Sequence, residues 1–152
     1  MGDTHLPRGS RRLPDSCLRV LAAADRIVHV GDFTAASVLD ELRALAPVTA
    51  VHGNMDEPEL RSRLPQRAEL DDEGLRIGIV HDPGPAAGRH ERLQAWFAGC
   101  GLVVYGHTHW PELVSMEDAW ILNPGSPTER RRAPGHTMAV VRDGVPSLVE
   151  LG

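Results

Sequence analysis

The chain has 152 residues, a formal net charge of −5, a hydrophobic fraction of 41% and only 4% aromatics. That length fits one domain, residues 1–152, able to bury a core without disulfides, and the mild acidity argues against a long nucleic acid as partner. No apolar run approaches the ~20 residues of a membrane span, residues 1–13 lack a signal-peptide core, and Cys17 and Cys100 match no metal-ligand spacing, so a cytoplasmic protein with two free thiols is expected.

In chain order, the spacing predicts a helix over 14–24, opened by Pro14, with Leu18, Val20, Leu21 and Ala24 near one face. Arg26 to Val30 reads as a short strand that stops at Gly31-Asp32. A helix capped by Thr34 runs through Leu45, with Val38, Leu39, Leu42 and Leu45 spaced for burial, and Pro47 cannot continue it. Val48 to His52 is a strand ending at Gly53-Asn54, and Pro58 to Leu64 a short helix. Arg67 to Leu70 and Leu75 to Val80 read as strands joined by Asp71-Asp72-Glu73-Gly74, the second ending at His81-Asp82. A helix over Arg89 to Ala98 stops at Gly99, and the strand Leu102 to Tyr105 ends at Gly106-His107. The remainder is all strand: Glu112 to Met116, Trp120 to Leu122, Thr137 to Arg142 and Pro146 to Leu151, the last two joined by Asp143-Gly144. An early βαβ rhythm followed by hairpins points to a mixed α/β sandwich, with ligand sites where strands end.

Metal-type ligands stand at those strand ends. Asp32, Asn54, His81, His107 and His109 each follow an apolar run, and glycine precedes Asp32, Asn54 and His107, allowing close backbone approach. Asp3 and His5 share the spacing of His107 and His109, which lets both side chains point one way from an extended segment. Carboxylates, imidazoles and an amide together suit Mn²⁺, Zn²⁺, Fe or Ni²⁺ better than Ca²⁺. One aspartate can bridge two cations, and such a pair serves in-line displacement at phosphorus.

The ordered series Asp3-Thr4-His5, Gly31-Asp32, Gly53-Asn54-Met55-Asp56, His81 and Gly106-His107-Thr108-His109 resembles the calcineurin-like metallophosphoesterase superfamily. Asn123-Pro124-Gly125-Ser126 narrows the resemblance to the small YfcE-like phosphodiesterase branch. The resemblance implies a four-layer αββα sandwich with a dimetal centre, Mn²⁺ foremost, acting on a small phosphodiester. It implies Asp3, His5, Asp32 and His109 around one metal and Asp32, Asn54, His81 and His107 around the other. Asp32 is then the bridge, a hydroxide between the metals the nucleophile, and Asn54 a further phosphate contact. The alternative is a non-catalytic scaffold, as in a retromer subunit that resembles this branch; a homo-oligomer is left open.

Two departures from the family pattern stand out. Met55 occupies a position where many members carry a proton-donating histidine, so diesters with good leaving groups are expected to react best; a positioned acid is worth ~10²–10⁴-fold. Only Met1 and Gly2 precede Asp3, whereas a strand needs about five residues. The first core strand therefore reads as truncated and the natural start as several residues upstream, leaving Asp3 and His5 poorly fixed and the first metal weakly held.

Among the remaining residues, Asp56 either orients a ligand from behind or is a solvated loop residue. His29, His52, His90 and His136 read as background, with His52 nearest the motif. Arg130-Arg131-Arg132 reads as a solvated loop. Trp96 is expected in the core, Trp110 at the cleft and Trp120 in the core or an interface.

Overall fold

Apolar side chains alternate along nearly every strand, and the two faces so created go to different layers. The computed structural model describes residues 1–152. Its elements are α1 (Asp15–Ala22), β1 (Ile27–His29), α2 (Ala36–Arg43), β2 (Val48–Ala50), α3 (Pro58–Arg63), β3 (Arg67–Asp72), β4 (Leu75–Val80), α4 (Arg89–Trp96), β5 (Leu102–Tyr105), β6 (Glu112–Ser115), β7 (Trp120–Asn123), β8 (Thr137–Arg142) and β9 (Val145–Glu150). The strands form a parallel β1-β2 pair, a five-stranded mixed sheet in the order β3-β4-β5-β7-β6, and the antiparallel β8-β9 hairpin.

Three apolar clusters separate four layers, which is the αββα sandwich. In the first, Ile27 and Ala50 pack with Cys17 and Leu21 of α1, Leu39 and Leu42 of α2, Leu60 of α3, and Met138 and Leu151. In the second, Val30 and Val51 meet Ile77, Ile79, Leu102, Val104 and Leu122 across the gap between sheets. In the third, Val80, Val103, Tyr105 and Ile121 pack under Leu93 and Phe97. The strands of the five-stranded sheet thus send odd and even residues to opposite cores, as a period of two requires. Each fully buried leucine, such as Leu39 or Leu93, contributes ~1.5–3 kcal/mol. Gly78 faces the third core because a Cβ there would lie 2.3 Å from the Phe97 ring. Met138 joins the first core while Ala139 and Val141 join the second, so β8-β9 lies in the same layer as β1-β2.

Two expectations need correction. Thr34 does not cap α2; its φ is +92°, it bridges Leu6, and its N–H donates to Asp56 Oδ1 at 2.8 Å. The helix starts at Ala36, whose N–H donates to Glu57 Oε1 at 2.6 Å, so a carboxylate from a later loop does the capping. The N-terminal segment is also not loose. Met1 to Leu6 runs alongside residues 28–34, with Val30 N–H donating to Met1 O at 3.0 Å, Asp3 N–H to Gly31 O at 3.0 Å, His5 N–H to Asp32 O at 2.9 Å and Leu6 N–H to Phe33 O at 2.7 Å. Asp3 is 0% exposed and His5 4%.

Candidate metal centre

Five of the seven predicted ligands adopt a left-handed backbone: Asp3, His5, Asp32, His107 and His109 have φ between +46° and +70°. Such a conformation costs a non-glycine residue about 1–3 kcal/mol and persists only where the surroundings enforce it. The chain turns sharply at each strand end and aims successive side chains inward. The preceding glycines let the turns touch. A Cβ on Gly53 would lie 2.0 Å from Asp32 Oδ1, one on Gly31 2.6 Å from the Gly53 nitrogen, and one on Gly106 3.0 Å from Asp3 Oδ2. No larger residue fits at Gly53 without displacing Asp32.

All seven side chains meet in one cluster. Candidate ligand atoms of Asp3, His5 and His109 lie within 4.8 Å of one another, as do those of Asp3, Asp32 and His81. Asp32 Oδ2 stands 3.6 Å from His5 Nε2 and 3.4 Å from His81 Nε2, between the two sides of the cluster. His81 Nε2 is 3.0 Å from Asn54 Oδ1 and 3.3 Å from His107 Nδ1, which itself lies 3.1 Å from Asn54 Oδ1. His5 and His109 bring their Nε2 atoms to 3.1 Å.

The donor set fits cations. His81 donates its Nδ1–H to the Val30 carbonyl at 2.8 Å, and His109 donates its Nδ1–H to the Glu129 carbonyl at 2.5 Å. In a neutral ring the other nitrogen is then a lone pair. Burial holds His5 and His81 below the usual histidine range and lowers His109 to about 4, so the rings are neutral near pH 7. Their approaches to Asp3 and Asp32 are therefore not ion pairs. The His81 lone pair faces the carboxylate of Asp32 and the Asn54 oxygen, acceptor against acceptor, an arrangement that a positive ion relieves. Burial, reinforced by the neighbouring Asp32 carboxylate, pushes Asp3 well above the usual carboxylate range, which points to the same deficit of positive charge.

Asp56 lies behind the cluster and is not a solvated loop residue. Oδ2 accepts from the N–H groups of Asp32 (3.1 Å) and Gly53 (2.7 Å), while Oδ1 accepts from Thr34 N–H. One buried carboxylate thus joins two ligand loops. The Asn123-Pro124-Gly125-Ser126 block does the same on the other side. Asn123 Nδ2 donates to Thr108 Oγ1 at 2.9 Å, and Ser126 Oγ donates to the Asp3 carbonyl at 2.7 Å.

The sequence reading missed Thr128 and Glu129. Thr128 Oγ1 donates to the Thr4 carbonyl at 2.6 Å, and Glu129 supplies the His109 partner while its carboxylate lies 3.8 Å from His5 Nε2. Nothing in their local sequence marks them beyond proximity to the Asn-Pro-Gly-Ser block. Trp110 is exposed, and Trp96 and Trp120 are half-buried against the third and second cores. No helix is long and apolar enough to cross a membrane.

A cluster of two aspartates, four histidines and an asparagine, buried except at Asn54 and His107 and set on the strand ends of a two-sheet sandwich, defines a candidate centre for divalent cations within a metallophosphoesterase-like fold. The chain belongs to the calcineurin-like phosphoesterase superfamily, whose domain model matches residues 1–143. It is 33% identical to a probable metallophosphoesterase of Methanothermobacter thermautotrophicus over 95% of this chain and 84% of that protein. It is 27% identical to a phosphodiesterase of Methanocaldococcus jannaschii over 66% of each chain. Its fold matches a crystal structure of a Vps29 variant from Entamoeba histolytica with a TM-score of 0.78 at 23% identity, covering 100% of this chain and 97% of that one.

Proposed function

We propose that this protein is a metal-dependent phosphodiesterase acting on small phosphodiesters, with Asp3, His5, Asp32, Asn54, His81, His107 and His109 holding two divalent cations. The observation that carries this reading is the convergence of neutral imidazole lone pairs on two buried carboxylates and an amide oxygen, with no arginine or lysine in ion-pair contact with Asp3 or Asp32. Two bound cations would supply Lewis-acid polarisation of the phosphoryl oxygens and activation of the attacking nucleophile. Mn²⁺ is the favoured ion, with Zn²⁺, Ni²⁺ and Fe also compatible with this donor set. Asp32 stands between the two sides and is the natural bridge. Asn54 is exposed at the mouth and would contact the phosphate as well. The phosphodiesterase relative from Methanocaldococcus jannaschii supports the choice of diesters.

Met55, 56% exposed beside Asn54, has no proton to give, so the leaving group must depart without help from that position. The buried free thiols Cys17 and Cys100 suit a cytoplasmic setting. The test is hydrolysis of bis-p-nitrophenyl phosphate by protein reconstituted with Mn²⁺, Zn²⁺ or Ni²⁺, paired with metal analysis by mass spectrometry. Two equivalents and turnover are expected. The second reading, a non-catalytic scaffold, is favoured by the fold match to Vps29 and would be supported by no bound metal and no turnover.

A further inference from the structure

A cleft of about 380 Å³ opens directly beside the candidate metal centre, walled by His52, Asn54, Arg61, Arg67, His81 and Trp96. Asn54 and His81 belong to both the ligand cluster and the cleft wall. For a diester with its phosphorus at the cluster, this cleft is an adjoining space open to one of its two ester arms. The volume lies in the range that accepts small organic ligands, about 300–1,000 Å³.

The wall is built for negative charge. Arg67 opens β3 and pairs in register with Val80, the residue before His81. Its guanidinium carbon lies 3.7 Å from the centroid of the Trp96 ring, which fixes the plane of the group while leaving its edge free to donate. No carboxylate stands within ion-pair distance of it. Arg61 is held by two carbonyls: its Nε donates to Asp56 O at 2.9 Å and its Nη2 donates to Asn54 O. Neither bond neutralises its charge. The acid lining the cleft is Asp82, whose Oδ1 accepts from the Gly84 N–H at 2.8 Å. His52 adds a buried Nδ1 with no hydrogen-bond partner. Two positioned, unneutralised guanidinium groups favour an oxyanion; the free fork of Arg67 suits two oxygens of a phosphate, while Arg61, its Nε and one Nη2 hydrogen given to carbonyls, keeps Nη1 to donate.

Resting on the phosphodiesterase reading, we infer that this cleft selects small phosphodiesters that carry a second phosphate on one arm, with Arg67 and Arg61 binding that second phosphate. Arg67 is the specificity-determining residue. Arg61 also positions, because it grips the carbonyl of the metal-ligand candidate Asn54.

Two chromogenic esters make a matched test: thymidine 5′-(p-nitrophenyl phosphate) and its 3′-phosphorylated form. Both release p-nitrophenolate, so only the arm differs. With the Mn²⁺-loaded protein, kcat/KM is expected to favour the 3′-phosphorylated ester by about tenfold or more, and Arg67→Ala should bring the ratio to within about twofold. Arg67→Lys, which keeps the charge but loses the fork, should retain part of the preference. A second readout needs neither turnover nor metal. Calorimetric titration of metal-free protein with thymidine 3′,5′-bisphosphate should show binding that Arg67→Ala weakens by about fivefold or more. Equal rates for the two esters, or bisphosphate binding that is absent or indifferent to Arg67→Ala, would overturn the inference while leaving the phosphodiesterase reading in place. Failure to hydrolyse either ester with any metal, alongside Arg67-dependent binding of the bisphosphate, would sink the phosphodiesterase reading and support the cleft.

Discussion

The candidate centre has two unlike sides. Asp3, His5 and His109 are sealed from solvent and held by long-range hydrogen bonds, from Ser126 and Thr128 to the Asp3-Thr4 backbone and from His109 to the Glu129 carbonyl. Asn54, His81 and His107 hang from the ends of paired strands and short loops, and Asn54 faces solvent and the cleft. Asp32 joins the sides. Under the two-metal proposal, the closed side would retain an ion and the open side would meet the substrate. Burial desolvates the closed side and raises the pull on a cation there; exposure of the open side leaves room for phosphate.

The largest expected effect comes from removing the group common to both sides. Asp32→Asn should lower kcat/KM on bis-p-nitrophenyl phosphate by at least ~10³-fold, and mass spectrometry should find the loss of metal on both sides. Turnover near the parent level would break the view that Asp32 unites them. Next is Gly53→Ala, whose new Cβ would stand 2.0 Å from Asp32 Oδ1. Overpacking of this kind costs ~1–3 kcal/mol, to be read as a lowered urea midpoint together with loss of activity.

A pair of variants then separates the sides. Ser126→Ala removes the donor to the Asp3 carbonyl and should weaken metal at the closed side, while Asp56→Asn alters the acceptor of the Asp32 and Gly53 N–H groups and should act mainly through the open side. Each should reduce affinity for one of two metals by ~10–100-fold in competition with a chelator. Identical effects on both metals would mean that the sides behave as one unit.

The smallest effect concerns pH and lies behind the site. His29 is fully buried, stacked on Phe33 at 3.6 Å, with Nδ1 accepting from the Gly31 N–H. Burial holds it well below its ordinary 6.5, so it is neutral in the folded chain. The unfolded chain takes up that proton first. Stability is thus full above about 6.5 and falls as pH drops below it, by at most ~1.4 kcal/mol per pH unit for this group. Urea unfolding of the metal-free protein between pH 7.5 and 5.5 should show a shallower slope in His29→Asn. An unchanged slope would assign the pH dependence to the site histidines alone.

Much of the sandwich was legible because each strand carries its own period. Ile77 and Ile79 against Val80, and Val103 and Tyr105 against Leu102 and Val104, announce a sheet buried on both faces. The strand-end ligands were legible because glycine and a polar ligand type interrupt an apolar run. Other features had no local mark. The α2 cap comes from Glu57 rather than Thr34, because the chain before the helix is already engaged with Leu6 and Asp56. Glu129 carries no local mark, yet its carbonyl orients His109 across 20 residues. The cleft joins Arg61, Arg67 and Trp96 from three different elements, which no spacing rule connects.

The sequence by itself determined the residue types at the strand ends, the apolar period of the strands and the glycines that permit close loops. These follow from local geometry, which each segment carries alone. Only the tertiary structure decided that Asp3 and His5 would be firmly held, because their anchors are hydrogen bonds to residues more than 25 positions away, including Gly31, Asp32 and Ser126. It also decided which imidazole nitrogen faces inward and which side of the centre stays open. Those depend on burial and on partners that exist only once the two sheets have packed.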